Sequence, residues 1–229
     1  MNYPLLIFFG VIPSIIWLLF FLRKDTHPES NKMIIKVFIW GMISSIPILF
    51  VEVGLENLLK NIPLILFCFF SVALPEELAK YLVVKKIALP NKEMDEPVDA
   101  MIYMIIAALG FAALENILML WPFKAFDLFT ASWLRFITGT FLHVVTAGIM
   151  GYFIALSFLN VKIKRLLIFL GILIASILHS AYNFYIIVQG APKTIVLLLL
   201  ILPSIFVFIA FEKIKKEKIH ANFKKNRTK

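Results

Sequence analysis

Runs of about twenty apolar residues recur from Tyr3 to Phe211, the length an α-helix needs to cross the hydrocarbon core of a bilayer. Lipid offers no partner for a backbone N–H or C=O, so each such run must satisfy its own hydrogen bonds and is expected to be a helix. Seven runs fit, at 3–22, 34–54, 62–84, 98–120, 133–158, 165–188 and 191–211. The expected fold is all-α, a polytopic integral membrane protein of about seven transmembrane helices. Composition agrees: 61% of the residues are hydrophobic and only 16% charged, against roughly a quarter in a soluble domain. No separate soluble domain fits, so 1–212 reads as one transmembrane domain and 213–229 as a basic tail. The first run has the length of a secretory signal but lacks a basic n-region and an A-x-A site, and Arg23-Lys24 follow it, so it is expected to be a retained span.

The net charge of +9 would suggest a nucleic-acid partner in a soluble protein, but here the basic residues read as topology signals and no nucleic acid is expected. With the N-terminus outside, eighteen Lys and Arg residues fall on the cytoplasmic side. Only Lys60, Lys124, Arg135 and Lys193 fall on the other. That bias places the C-terminus in the cytoplasm. The tail, KIKKEKIHANFKKNRTK, reads as a solvated topology determinant with some affinity for anionic lipid. Cys68 stands alone in an apolar run, which leaves no intramolecular disulfide and no cysteine metal spacing.

Against this background the ionisable residues inside the runs stand out: Glu52, Glu76, Glu77, Lys80, Glu115, His143 and His179. Each charge at a helix centre costs about 2.5–3.5 kcal/mol on the insertion scale. Three charges in the third run therefore cost roughly 9 kcal/mol, against roughly 6 kcal/mol gained from its thirteen Leu, Ile, Val and Phe residues. That helix needs partner helices, a wet cavity or protonated carboxyls. Glu76 and Lys80 are i, i+4 and share a face, whereas Glu77 lies about 100° round the helix, and Pro75 removes a hydrogen bond just before them. An ion pair locking helices together accounts for one carboxylate and one lysine, and leaves the second glutamate for function. The fourth run pairs Glu115 with Asn116, one turn after Phe111. The fifth places His143 on the face of Ala147 and Gly151, small residues that permit close helix approach, and the sixth places His179 and Asn183 i, i+4 on one face. A lone intramembrane histidine is usually a packing residue, but two of them beside buried glutamates point to a shared site. By residue count, Glu76 comes out nearer the cytoplasmic half and Glu115 nearer the outer half. Glu52, close to the end of its run, reads as interfacial without a catalytic role.

Carboxylates with imidazoles suit water activation, since a glutamate in an apolar site can act as general base and then acid. A His/Asn pair can stabilise an oxyanion, and no serine or cysteine is placed as a nucleophile. The H-E-x-x-H pattern is absent. Peptide hydrolysis by an activated water fits, with no cofactor and no metal ligand required. A metal held by Glu and His side chains fits the same residue types and stays open.

These residues carry a resemblance. HPES at 27–30, EELAK at 76–80, DEPVDAMIYMIIAALGFAALENI at 95–117, HVVTAGIMGYF at 143–153 and LHSAYNF at 178–184 resemble, in order, the PrsW family of intramembrane proteases. That family is related to the prenyl-protein (CAAX-type) endopeptidase and bacteriocin-processing superfamily. The resemblance implies a multi-pass protease of a prokaryotic cell membrane that cuts a membrane-anchored protein, an anti-sigma factor in the best-known members, at its extracytoplasmic side. It implies Glu76 as the water-activating residue, Glu77 as its neighbour in the paired-glutamate motif and Lys80 in place of the superfamily's common arginine. Glu115 fills the Phe-x-x-x-Glu position begun by Phe111, where the prenyl-protein enzymes have histidine. The partner of Glu76 is therefore open, with His143 as the candidate. His179 and Asn183 fill the last motif as oxyanion donors. Asp95, Glu96 and Asp99 are expected to cap the fourth helix and offset its N-terminal dipole, with Pro97 close to its first position, rather than to take part in catalysis. The competing readings are a metal-dependent protease of the same superfamily, a proton-coupled transporter using the Glu/His set as a relay, and a scaffold whose polar residues only lock helices. No inverted repeat supports the transporter.

Overall fold

The computed structural model describes residues 2–24, 27–188 and 192–216; the tail from 217 to 229 lies outside the described residues, as does residue 191 at the start of the expected seventh run. The described chain is all-α. The helices are α1 (Tyr3–Leu22), α2 (Asn31–Leu59), α3 (64–88), α4 (Asp99–Leu120), α5 (Ala125–Ile137), α6 (Gly139–Leu159), α7 (Lys164–Ile187) and α8 (Lys193–Lys215). The joint between α5 and α6 is Thr138, whose φ of −121° and ψ of −88° break one long helical stretch into two arms. The expected fifth run, 133–158, straddles that joint. Counted as stretches, there are seven among the described residues, one for each apolar run. Five of them are long and apolar enough to cross a membrane: Tyr3–Leu22, Asn31–Leu59, Asp99–Leu120, Asp127–Leu159 and Thr194–Lys215. The other two stretches, α3 and α7, carry Glu76, Glu77, Lys80, His179 and Asn183.

Helix α4 is largely enclosed, packing against α1, α2 and α6. Its close approach to α2 is made by paired glycines. A Cβ on Gly110 would strike the Phe38 carbonyl oxygen, and one on Gly41 would strike the Ala107 carbonyl oxygen. On the opposite side a Cβ on Gly151 of α6 would lie 2.5 Å from Met101 Cα. Small residues at crossings let backbones touch where lipid supplies no hydrophobic drive between helices.

Between α2 and α4 the chain is tied off by polar contacts at one end of the bundle. Ser30 caps α2, its Oγ accepting from Met33 N, and donates to Glu93 Oε2 at 2.8 Å. His27 pairs with Glu96 at 2.9 Å, and Tyr103 donates to Glu29. The HPES segment therefore anchors the α1–α2 connection to the 91–99 loop and to α4. Asp99, the first residue of α4, accepts from the backbone N–H groups of Asp95 and Glu96 at 2.8 and 2.6 Å. The acidic cluster thus closes the loop before α4 rather than capping the helix, which corrects the expected role: the N-cap residue is Val98 and no side chain caps the first turn, while Glu96 is turned to His27.

Helix α3 is not a uniform α-helix. Two π-helical segments, Cys68–Ala73 and Val84–Ala88, bracket the α-helical stretch Leu74–Val83. Pro75 stands just after the first, where the wider turn accommodates its missing N–H. Such interruptions concentrate at functional sites. Here the bracketed stretch contains Glu76, Glu77 and Lys80.

Candidate active site

Four elements bring their polar residues to one place. From α3, Glu76, Glu77 and Lys80 are buried; α6 supplies His143, α7 supplies His179, and α4 supplies Glu115. The Lys80 ammonium is fully enclosed. It donates to Glu76 Oε2 at 3.1 Å and to Glu77 Oε1 at 2.9 Å, lies 2.7 Å from His143 Nδ1, and sits 4.6 Å from the centroid of the Phe111 ring. Glu77 Oε1 also accepts from Thr146 Oγ1 at 3.1 Å and lies 2.9 Å from His179 Nδ1. Its Oε2 is buried without a partner among the described residues.

Hydrogen bonding assigns the imidazole tautomers. An ionised carboxylate only accepts, so His179 carries its proton on Nδ1 toward Glu77, and its Nε2 lone pair points toward Glu76 Oε2, 3.9 Å away. His143 donates from Nε2 to Glu115 Oε2 at 2.7 Å, which leaves its Nδ1 lone pair 3.8 Å from Glu76 Oε2. Ligand atoms of Glu76, His143 and His179 lie within 4.8 Å of one another. Tetrahedral coordination at 2.0–2.2 Å sets ligand atoms about 3.3–3.6 Å apart, so the two Glu76 separations, 3.8 and 3.9 Å, must shorten by a few tenths of an ångström and the widest separation by up to roughly 1.2–1.5 Å. Carboxylates behind both imidazoles are the usual outer support of metal-binding histidines. The donor set fits a metal, provided that the Lys80 ammonium withdraws from His143 Nδ1.

The level difference between Glu76 and Glu115 expected from residue counting is bridged by one ring. His143 faces Glu76 with Nδ1 and Glu115 with Nε2. Behind Glu115 stands a residue that sequence reasoning placed only among the topology charges. Arg135 of α5 forms an ion pair with Glu115 Oε2 at 2.9 Å, and its Nε donates to Asn116 Oδ1. Asn116 in turn donates to Thr140 Oγ1 at 3.0 Å, so it holds the arginine rather than facing the cavity. Helix α5 is held against α1 by Trp17 Nε1 donating to the Phe136 carbonyl at 2.9 Å and Ser132 Oγ donating to the Phe9 carbonyl at 2.6 Å. The only early sign of Arg135's role was an arginine flanked by apolar residues, FTASWLRFITG.

A cavity of about 500 Å³ opens above this cluster. Glu76, Phe111, Glu115, His143, His179 and Asn183 line it, with apolar walls that include Ile48, Leu142 and Ile186. Glu52 lines it too, which corrects the interfacial reading. Helix α2 continues to Leu59, so Glu52 is not at its end, and it shares a face with Ser45, Ile48 and Leu49. Five of the six expected catalytic residues, Glu76, Glu115, His143, His179 and Asn183, face this cavity together. Glu77 stands behind them.

Bilayer-length helices closing over carboxylates and imidazoles, with a cavity reaching them, are the arrangement of a membrane-embedded hydrolase. A family model described as PrsW family intramembrane metalloprotease matches residues 29–210, and the chain belongs to that family of intramembrane proteases. Protease PrsW of Geobacillus kaustophilus (strain HTA426) is 31% identical over 177 residues, 76% of this chain and 76% of that one. Protease PrsW of Bacillus subtilis (strain 168) is 28% identical over 177 residues, 76% and 79% of the two chains. Protease PrsW of Clostridioides difficile (strain 630) is 28% identical over 222 residues, 93% and 91% of the two chains. No solved structure matches the chain at a significant level. The protein is a multi-pass membrane protein of bacterial kinship. The family's description and the Glu76/His143/His179 cluster together favour the metal-dependent alternative over the expected hydrolysis without a cofactor.

Proposed function

We propose that the protein is a metal-dependent intramembrane endopeptidase that hydrolyses a peptide bond in a membrane-anchored protein, an anti-sigma factor being the substrate class the family resemblance implies. The observation that carries this reading is the convergence of Glu76, His143 and His179 beside a cavity of about 500 Å³. Those three residues would hold the metal. A metal there supplies Lewis acidity toward a scissile carbonyl and toward water.

The protein's own groups do the rest. Glu77 fixes the tautomer of His179, and Glu115, held by Arg135, fixes that of His143. Thr146 and Lys80 hold Glu77 in place. Glu76 presents a second oxygen to take the proton of the attacking water and return it to the leaving amine, so that water is added across the C–N bond with no net proton change at the site. Asn183, one turn from His179, donates its amide N–H to the carbonyl oxygen as it gains charge. The apolar walls exclude bulk water and strengthen each of these interactions. With the basic residues on the cytoplasmic side, the N-terminus is outside and the cavity opens toward the extracytoplasmic half.

The test is cleavage of a co-reconstituted panel of single-span proteins, anti-sigma factors included, by the wild type, Glu76→Gln and His179→Ala, with bound metal counted by mass spectrometry. The expected result is cleavage and about one metal per wild-type chain, both lost in either variant and both removed by a chelator. Cleavage by a metal-free, chelator-treated wild type returns the site to hydrolysis by glutamate alone. Cleavage retained in Glu76→Gln removes Glu76 from the chemistry.

A further inference from the structure

A second concavity, of about 920 Å³, runs along the outside of the bundle between α2 and α3. Its walls are apolar, and Trp40, Ile43 and Leu82 are each close to half exposed. One end is bounded by Lys36 and Lys86; among the described residues neither forms an ion pair. The other end reaches Ile48 and Pro75. Ile48 also lines the catalytic cavity, and Pro75 is bonded to Glu76. The groove and the cavity therefore share a wall at the point where Pro47 and Pro75 interrupt both helices.

We propose that this groove seats the transmembrane helix of the substrate, and that Lys36 and Lys86 bind acidic residues at the end of that helix. The proposal rests on the reading of the chain as an intramembrane endopeptidase. A substrate embedded in lipid must reach Glu76 from the side, and this groove leads from the lipid-facing surface to the residue next to it. The charge at its end sets the register. Lys86 is ten residues from Glu76, about 15 Å at the helical rise, and Lys36 is twelve residues from Ile48, about 18 Å. A helix seated along α2 and α3 thus presents for cleavage a bond about ten to twelve residues from its acidic end. An anionic phospholipid has the same chemistry, a phosphate for the lysines and chains for the apolar wall. It gives no reason, however, for the groove to end on the wall of the catalytic cavity.

The test uses the full chain carrying Glu76→Gln in phosphatidylcholine vesicles, with a photo-crosslinking amino acid at Ile43, at Leu82, or at the lipid-facing control Ile209 of α8. The probe is a single leucine–alanine transmembrane helix with two glutamates at one end. Crosslinking at Ile43 and Leu82 about tenfold above Ile209 is expected, falling to the control level when the probe's glutamates become lysines. The double variant Lys36→Glu/Lys86→Glu is expected to restore capture of the lysine probe. Equal crosslinking at all three positions, or no restoration by the charge swap, overturns the proposal. So does displacement of the probe by added phosphatidylglycerol with crosslinking to that lipid instead. Capture is read without cleavage, so a probe seated in the groove but left uncut by the wild type defeats the endopeptidase reading alone. Cutting without capture at Ile43 or Leu82 defeats the groove alone.

Discussion

Arg135 reaches the catalytic imidazole only through Glu115. Removing it leaves the Glu115 carboxylate, a group with an 18% exposed side chain, holding His143 with one partner fewer. Outer partners of metal-binding or catalytic histidines are worth about ten- to a hundredfold in activity or metal affinity. Arg135→Ala is therefore expected to lower kcat by at least about tenfold at little change in KM, with Arg135→Lys recovering part of it, measured on whichever single-span substrate the wild type cleaves. A purely structural role would instead lower the fraction of folded enzyme and leave kcat per folded molecule intact. At this scale part of the site was legible. The i, i+4 pairs Glu76/Lys80 and His179/Asn183 share a face by helix geometry alone, and the structure places each pair together. The roles of Arg135 and Glu52 were not. Both depend on what lies across a gap between helices, and helical periodicity carries no information about a neighbouring helix.

The elements show why these side chains hold still. Helix α4 carries Phe111 and Glu115 only a few residues beyond Gly110, whose Cα rests against the Phe38 carbonyl of α2. A methyl group at that point must push the two backbones apart. Overpacking of this kind costs about 1–3 kcal/mol, and alanine's better helix propensity returns only about 1 kcal/mol of it. Gly110→Ala is expected to lower the melting temperature by a few degrees, roughly 2–8 °C, in a detergent thermal-shift assay, and to reduce cleavage by tilting Phe111 away from Lys80. Unchanged stability and activity would show that the crossing is looser than the geometry indicates. The run at 62–84 was readable as a helix burdened by three charges, and its need for partner helices follows from that cost. Its π-helical segments were not readable, because an apolar run satisfies an i→i+5 pattern as well as i→i+4 and only packing selects between them.

For the whole molecule the decisive feature is that the three metal-ligand candidates come from three helices, α3, α6 and α7. A metal bound to all three stabilises the folded bundle by mass action, about 2.7 kcal/mol at a hundredfold excess over Kd. Zinc added to chelator-stripped protein is expected to raise the melting temperature of the wild type and to leave Glu76→Gln, His143→Ala and His179→Ala unmoved. Lys80→Met is expected to start lower, because breaking a buried ion cluster costs about 3–5 kcal/mol, and to gain more from zinc than the wild type does. The second effect follows from the ammonium standing on Glu76 Oε2 and His143 Nδ1. An equal zinc shift in the ligand variants would place any bound zinc elsewhere.

The amino-acid order alone determined that the chain lives in a membrane as a helical bundle, which helices carry polar groups, and on which face of each helix those groups lie. These properties depend on the bilayer's thickness, the demand for internal hydrogen bonds and the helical repeat, all of which act within one segment. The tertiary structure alone decided that Glu76, His143 and His179 share a point, that Glu52 enters their cavity, and that Arg135 stands behind Glu115. It also decided that the groove between α2 and α3 ends beside Glu76. Those facts rest on which helices touch, and at what level, and that is set by glycine crossings, polar ties and π-turns spread over the whole chain.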